Sequence, residues 1–146
     1  MSADGVAERS ATVAKLQAAL APAKVYRGIP DDALLDRNAM GAVLPYCVIK
    51  FAGPVPTRRD RRIAVGEEKQ PVIMAVLVTA YAVSQEDADD LAADIVNALL
   101  GWAPDPDNAT PYAAAGGYAF GTMSPTNKPS RFEEGISFQT TLNMAA

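Results

Sequence analysis

The stretch from residue 72 to residue 83 constrains the fold of this chain more than any other part of the sequence. It is apolar at nearly every position and rich in β-branched side chains, which is typical of a buried β-strand. Successive side chains of a strand point to opposite faces of the sheet. One set consists of Val72, Met74, Val76 and Val78, and the other consists of Ile73, Ala75, Leu77 and Tyr81. Because both sets are apolar, both faces of this strand need cover, which either the chain itself or another subunit could supply.

Two segments with helical spacing are predicted to cover one face of the sheet. Residues 6–20 are rich in alanine, repeat apolar side chains at helical intervals, and are followed by a proline. Glu8 is among the polar residues between those apolar positions. The second helix begins after Ser84, a good N-cap residue, and ends at Gly101. The apolar stripes are Val6, Val13, Leu16 and Leu20 in the first helix, and Ala88, Leu91, Ile95, Ala98 and Leu99 in the second.

Four further segments are predicted as strands. They are residues 24–26, residues 46–51 (closed by Gly53-Pro54), residues 118–120 and residues 136–144. The last of them alternates between apolar and polar side chains. Ile136, Phe138, Thr140, Leu142 and Met144 face one way, whereas Ser137, Gln139, Thr141 and Asn143 face the other. Residues 31–41 have a mixed pattern, which indicates an irregular turn of helix around Leu34 and Leu35.

These elements predict one α+β domain over residues 1–146, in which a single layer of mainly antiparallel sheet is packed by two principal helices. A long polar loop is expected at residues 53–70 and a loop-rich segment at residues 103–130. The length of 146 residues suits one domain with one sizeable core.

Composition excludes most familiar catalytic chemistry. The chain has no histidine and a single cysteine, Cys47, so Ser-His-Asp triads, Cys-His pairs, His-ligated metals and intramolecular disulfides are impossible. Cys47 lies in the middle of a predicted strand, where we expect a buried, inert thiol. We therefore expect no enzymatic activity, no cofactor and no metal site. A net charge of −4 provides no general attraction to nucleic acid.

Signals for export or membrane insertion are not expected from the pattern. The first residues have neither a basic start nor an apolar block, and the longest apolar run is too short for a membrane helix. The expected location is the cytoplasm or a particle that is assembled there.

The most conspicuous charge feature is the run Arg58, Arg59, Asp60, Arg61 and Arg62. Such a run could bind phosphates or an acidic protein surface, or it could simply be a solvated loop balanced by Glu67 and Glu68. In an acidic protein, a protein contact or solvation is favoured over DNA binding.

Two other features have structural interpretations. The acidic residues of the second helix complement its dipole and form a solvent-exposed face, and they lack the spacing of a calcium loop. They are Glu86, Asp87, Asp89, Asp90 and Asp94. Trp102, just after that helix, is expected to anchor the core or a subunit contact.

The order of these elements resembles that of a known family. An Ala-rich helix is followed by Val25-Tyr26, a turn at Pro30 and a strand that Pro45 opens. A long polar loop comes next, and then the apolar strand that ends in Tyr81-Ala82-Val83-Ser84. Asp87-Ala88-Asp89 opens a helix that finishes in Ala98-Leu99-Leu100-Gly101-Trp102, before a proline-rich loop and a last strand ending in Leu142-Asn143. This arrangement, over about residues 6–144, resembles the tail terminator proteins (minor tail or tail completion proteins) of long-tailed, non-contractile bacteriophages, especially those of actinobacterial hosts.

The resemblance implies a virion protein that forms a homo-oligomeric ring, a hexamer, at the head-proximal end of the tail and is assembled in the host cytoplasm. Such a ring caps the tail tube protein, ends tail polymerisation and contacts the head–tail connector, while DNA passes through the lumen without sequence-specific binding. On this interpretation Arg58, Arg59, Arg61 and Arg62 reach a neighbouring subunit, the last tube ring or the lumen. The uncharged row Ser137, Gln139 and Thr141 suits an interface rim or a channel wall.

Two alternatives stay open from the sequence. The chain could be a head-completion or neck connector protein of the same virion, which differs in the ring that it binds. It could also be a small α+β ligand-binding domain or enzyme with a pocket between sheet and helices.

Overall fold

The computed structural model describes residues 5–56, 70–115, 119–124 and 131–144. Its elements in chain order are α1 (Val6–Leu20), β1 (Lys24–Tyr26), a 3₁₀ turn (Asp32–Leu34), β2 (Tyr46–Pro56), β3 (Gln70–Ala82), α2 (Gln85–Leu99), β4 (Ala113–Ala114), β5 (Ala119–Ser124) and β6 (Arg131–Met144). The predicted α+β class is confirmed.

The six strands form one sheet with β3 near its centre. The order is β1-β2-β3-β6-β4, and β5 also pairs with β6. Only β1 and β2 pair in parallel; the other neighbouring strands in the described part of the chain are antiparallel. β4 pairs with the second half of β6 and β5 with its first half, so these short strands share one edge. The sheet is therefore mainly antiparallel, as predicted.

Both helices lie on the same face of this sheet and bury its alternate residues. Met74, Val76 and Val78 of β3 are almost fully buried in that core, together with Phe138 of β6. The stripe predicted for α2 is confirmed, since Ala88, Leu91, Ile95, Ala98 and Leu99 are all buried. The backbone N–H of Asp87 donates to the Ser84 hydroxyl at 3.2 Å, which caps the start of α2 as predicted.

The buried stripe of α1 differs from the prediction at its first turn. Val6 is 48% exposed, whereas Glu8 is only 3% exposed. The buried residues of α1 are Glu8, Thr12, Val13, Leu16 and Leu20. The prediction was wrong here because hydropathy alone assigned the carboxyl to the solvent side, although Asn108, far away in the chain, donates a hydrogen bond to one of its oxygens.

Several strand boundaries also differ from the prediction. β2 continues to Pro56 instead of stopping before Gly53-Pro54, because a register shift between Ala52 and Val55 accommodates that pair. β6 begins at Arg131 instead of residue 136. The segment predicted as loop-rich, residues 103–130, contains β4 and β5. The strand predicted at residues 118–120 overlaps β5, which extends to Ser124, and Tyr118 lies outside the described residues. β4 was not predicted, because backbone pairing with β6 does not require an apolar pattern.

Candidate interaction surfaces

The face of the sheet that points away from the helices, here called the outer face, is partly open to solvent. Leu77, in the central strand, is 39% exposed on it. Its neighbours across the strands are Lys50 and Ser137, and the next row places Ala75 between Ala52 and Gln139. These rows therefore surround one exposed large apolar side chain, that of Leu77, with small and polar side chains.

One end of the outer face is covered by the chain itself. Leu35 and Val43, from the segment between β1 and β2, are buried against Tyr46 and Val48 of β2. The sequence left open whether the chain itself or another subunit covers the second face of β3, and the structure answers this only for part of that face. Within the described residues, the chain covers one end of the second face and leaves Leu77 and its row exposed.

Aromatic rings reinforce the covered end. Tyr46 stacks on Tyr81 with ring centroids 5.0 Å apart, and Tyr26 meets Tyr46 edge-on at 5.7 Å. The guanidinium of Arg131, a residue that is only 1% exposed, donates to the Tyr46 hydroxyl at 3.1 Å. Burial, followed by the nearby carboxyl of Glu133, raises the pKa of Tyr81 to about 12. These contacts give the outer face one rigid end and one open end.

The predicted interface residues do not form a single site. Ser137, Gln139 and Thr141 lie together on the outer face, as the alternation predicted, and Gln139 is exposed. Trp102 lies on the helix side, where its ring stacks on Tyr112 with centroids 6.3 Å apart and the Lys15 ammonium is 5.7 Å from its ring centre. The four arginines Arg58, Arg59, Arg61 and Arg62 lie outside the described residues.

A groove that the sequence did not predict lies at the end of the sheet where β2 begins. It has a volume of about 320 Å³ and is bounded by the end of α1, the first turns of α2 and the segment before β2. The residues lining it are Leu20, Ala21, Pro22, Ala23, Lys24, Tyr26, Asp36, Leu44, Pro45, Tyr46, Asp87, Asp90, Leu91 and Asp94. Its aspartates on α2 were predicted to belong to a solvent-exposed face. Local sequence patterns do not reveal that three separate segments form one concave surface.

A buried polar cluster lies between α1 and the segment that follows α2, and the sequence patterns did not predict it. The Asn108 amide donates to Glu8 Oε1 at 3.0 Å, and Thr12 shares a hydrogen bond of 2.7 Å with the Tyr112 hydroxyl. Glu8, Thr12, Asn108 and Tyr112 are all buried. Burial is also the main reason that the pKa of Tyr112 rises to about 12. The cluster ties α1 to the segment that follows α2, which is a structural role.

The chemistry available in the described residues is limited. Burial raises the pKa of the Cys47 thiol to about 12, so the group stays protonated and unreactive at neutral pH. Within residues 5–56, 70–115, 119–124 and 131–144, no group of three or more potential ligands is placed to hold a metal ion. No helix in those ranges is long and apolar enough to cross a membrane.

Glu134 and Asp89 form a carboxyl pair between β6 and α2. Desolvation, followed by a hydrogen bond and charge repulsion with Asp89, raises the pKa of Glu134 from its ordinary 4.5 to about 7. The folded protein therefore retains a proton that the unfolded chain releases in this range. The stability that this proton provides is fully present below the unfolded-state pKa and is lost as the pH rises through the folded-state value.

We expect the urea midpoint of the wild type to fall as the pH is raised from about 5 to about 8. Glu134→Gln should flatten this dependence, because it removes the titrating group. Glu86→Gln, which removes an exposed carboxyl from α2, the helix that carries Asp89, is the matched control and should keep the wild-type slope. An unchanged slope in Glu134→Gln would contradict the assignment.

Comparison with known proteins shows a solved structure with a similar fold. No protein-family model matches the chain, and no curated protein matches it. Among solved structures, a chain from the virion of a native gene transfer agent particle has a similar fold, with a TM-score of 0.53 over 92% of this chain and 92% of that chain. The two sequences are 10% identical, so the similarity establishes a shared α+β architecture along nearly the full length of both chains.

Proposed function

We propose that this chain is a structural protein of a phage-like virion, and specifically a tail terminator that forms a ring at the head-proximal end of the tail. The observation that carries the proposal is the fold shared over 92% of both chains with a component of a gene transfer agent virion. Fold by itself does not determine function. Support from this chain's own residues therefore has to come from its surfaces.

The open part of the outer face supports self-association. Leu77 lies in the central strand, and 39% of its surface is exposed. Lys50, Ser137 and Gln139 surround it with polar groups, as at the rim of a contact. Burial against another subunit would remove this apolar surface from water and complete the cover that β3 requires.

The remaining parts of the proposal concern partners. In the proposed ring the subunits contact one another, the tail tube protein and the head–tail connector, and DNA passes through the lumen without being read. An uncharged row such as Ser137, Gln139 and Thr141 would suit a surface that does not bind phosphates tightly. The proposed role is architectural and involves no catalysis and no cofactor.

Leu77→Asp tests the outer face as an assembly surface. The substitution should shift the protein from oligomer to monomer in light scattering, because it places a charge in the middle of the proposed contact. Leu34→Asp is the matched control: Leu34 is 71% exposed in the 3₁₀ turn, and its substitution should leave assembly unchanged. Circular dichroism checks that both variants stay folded. A folded Leu77→Asp variant that assembles like the wild type would contradict this use of the face.

The choice between terminator and neck connector depends on the partner. Purified protein is mixed either with tail tubes or with filled heads of the same phage and imaged by negative-stain electron microscopy. A terminator should appear as a cap at one end of the tubes. Binding to heads with no binding to tubes would favour the head-completion alternative.

A further inference from the structure

The groove at the start of β2 combines an apolar floor with an acidic rim. Leu20, Leu44 and Leu91 contribute apolar surface, and Leu44 is 42% exposed. Asp87, Asp90 and Asp94 follow one another along a single face of α2 and are all exposed. A concave apolar surface edged by carboxylates is suited to a segment that carries both aliphatic stems and positive charges, as arginine side chains do.

The negative charge of this groove is largely uncompensated within the described part of the chain. Its lining there contains four aspartates and one lysine. Lys24 forms an ion pair of 3.1 Å with Asp36, and no described residue forms an ion pair with the three aspartates of α2. An incoming cationic group would therefore meet three carboxylates that have no competing partner among the described residues.

The chain itself contains a segment of complementary charge. Residues 58–62 read Arg-Arg-Asp-Arg-Arg, four positive charges and one negative within five positions. Arginine binds carboxylates through planar, bidentate hydrogen bonds, and its aliphatic stem packs on apolar surface. The segment and the groove are therefore matched in sign and in chemical character.

The groove lies at one end of β2, and the positive segment follows the other end of that strand in the chain. Tyr46, at the groove, and Pro56 are the two ends of β2, and ten residue steps along a strand span roughly 33 Å. A contact between the groove of one copy and this segment of another copy would be head-to-tail, the type that closes into rings.

We propose that the groove between α1 and α2 receives residues 58–62 of a neighbouring copy of this chain, with arginines bound to Asp87, Asp90 and Asp94. This contact rests on the ring proposed above and adds to it which surfaces meet. It would use the ends of the subunit, and so it is separate from the contact that covers Leu77.

Charge reversal tests the contact in the full-length chain. The wild type is first examined by light scattering across a range of concentrations. Asp90→Lys/Asp94→Lys should then raise the concentration for half-assembly at least about tenfold, because like charges would face each other in the groove. Asp107→Lys reverses an exposed aspartate outside the groove and should change that concentration less than about threefold. Raising the salt concentration should weaken the wild-type contact and narrow these differences.

A charge swap and a cross-link make the test specific. Adding Arg58→Glu and Arg59→Glu to the groove variant should restore assembly. The groove would then carry the positive side chains and the segment the negative ones, so the attraction between them is kept. Separately, a chain with Asp94→Cys is mixed under oxidising conditions with a chain carrying Arg59→Cys. A disulfide-linked heterodimer is expected, while Asp107→Cys in place of Asp94→Cys should give none; the native Cys47 is buried and should not react.

The outcomes separate the two proposals. A wild type that stays monomeric at every concentration and gives no cross-link overturns the ring and the contact together. A wild type that forms rings, with a folded groove variant that assembles equally well and no specific cross-link, overturns the contact and leaves the ring. Weakened assembly, restoration by the swap and the specific cross-link together support both.

Discussion

Phe138→Ala is expected to lower the free energy of unfolding by about 3–5 kcal/mol, which is among the largest effects that any single substitution should have. Phe138 is 1% exposed and lies opposite Val76 in the sheet, directly beneath the helices. Its ring meets that of Tyr112 at an angle of 65°, with centroids 6.3 Å apart. Truncation to alanine removes this contact and leaves a cavity that the surrounding helices and strands cannot fully close.

Urea denaturation followed by circular dichroism measures this effect. The matched control is Gln139→Ala, because Gln139 is the next residue of the same strand and is exposed on the outer face. That control should change the free energy of unfolding by no more than about 0.5 kcal/mol. Equal effects of the two substitutions would contradict the assignment of the helix-covered face.

Asn108→Ala should cost about 2–3 kcal/mol although it removes only a small polar side chain. The Asn108 amide donates to Glu8 Oε1 at 3.0 Å, and the other carboxyl oxygen of Glu8 is buried without a hydrogen-bond partner. Without Asn108, neither oxygen of this carboxyl would have a side-chain donor among the described residues. A buried polar group that loses its hydrogen bond incurs the full free energy of desolvation.

A double substitution distinguishes this cause from loss of packing. Glu8→Leu combined with Asn108→Leu removes both polar groups and should be more stable than Asn108→Ala alone. Asn97→Ala is the control for a generic asparagine substitution, since Asn97 is exposed on α2 and should tolerate the change. If the double variant is as unstable as Asn108→Ala or more so, lost polar pairing is not the cause.

The contacts that these substitutions remove also make the subunit rigid, which the proposed function requires. Thr12 of α1 bonds the Tyr112 hydroxyl at 2.7 Å, and Tyr112 packs on both Trp102 and Phe138. This chain of contacts connects α1, the segment after α2 and the sheet. A subunit that presents one contact surface on its sheet and another at its end needs such connections to hold the two surfaces in a constant relative orientation.

Much of the fold could be predicted because its strongest signals are local. Helical spacing and caps predicted α1 over residues 6–20, matching Val6–Leu20, and the stripe of α2. Alternation predicted which residues of β6 face the helices, and four of them (Ile136, Phe138, Thr140 and Leu142) are buried, while the side chain of the fifth, Met144, lies outside the described part of the structure. A side chain's direction relative to its neighbours follows from the period of its element alone.

The sequence by itself determined the class of fold, the two helices, the long strands and the absence of histidine chemistry. Only the tertiary structure decided that Glu8 is buried, that part of the outer face is open, and that Asp87, Asp90 and Asp94 border a groove. One carboxyl oxygen of Glu8 accepts a hydrogen bond from a residue 100 positions away, and the groove joins three segments that are distant in the chain. Periodicity describes how a side chain points within its own element; which groups it then meets is a property of how the elements pack.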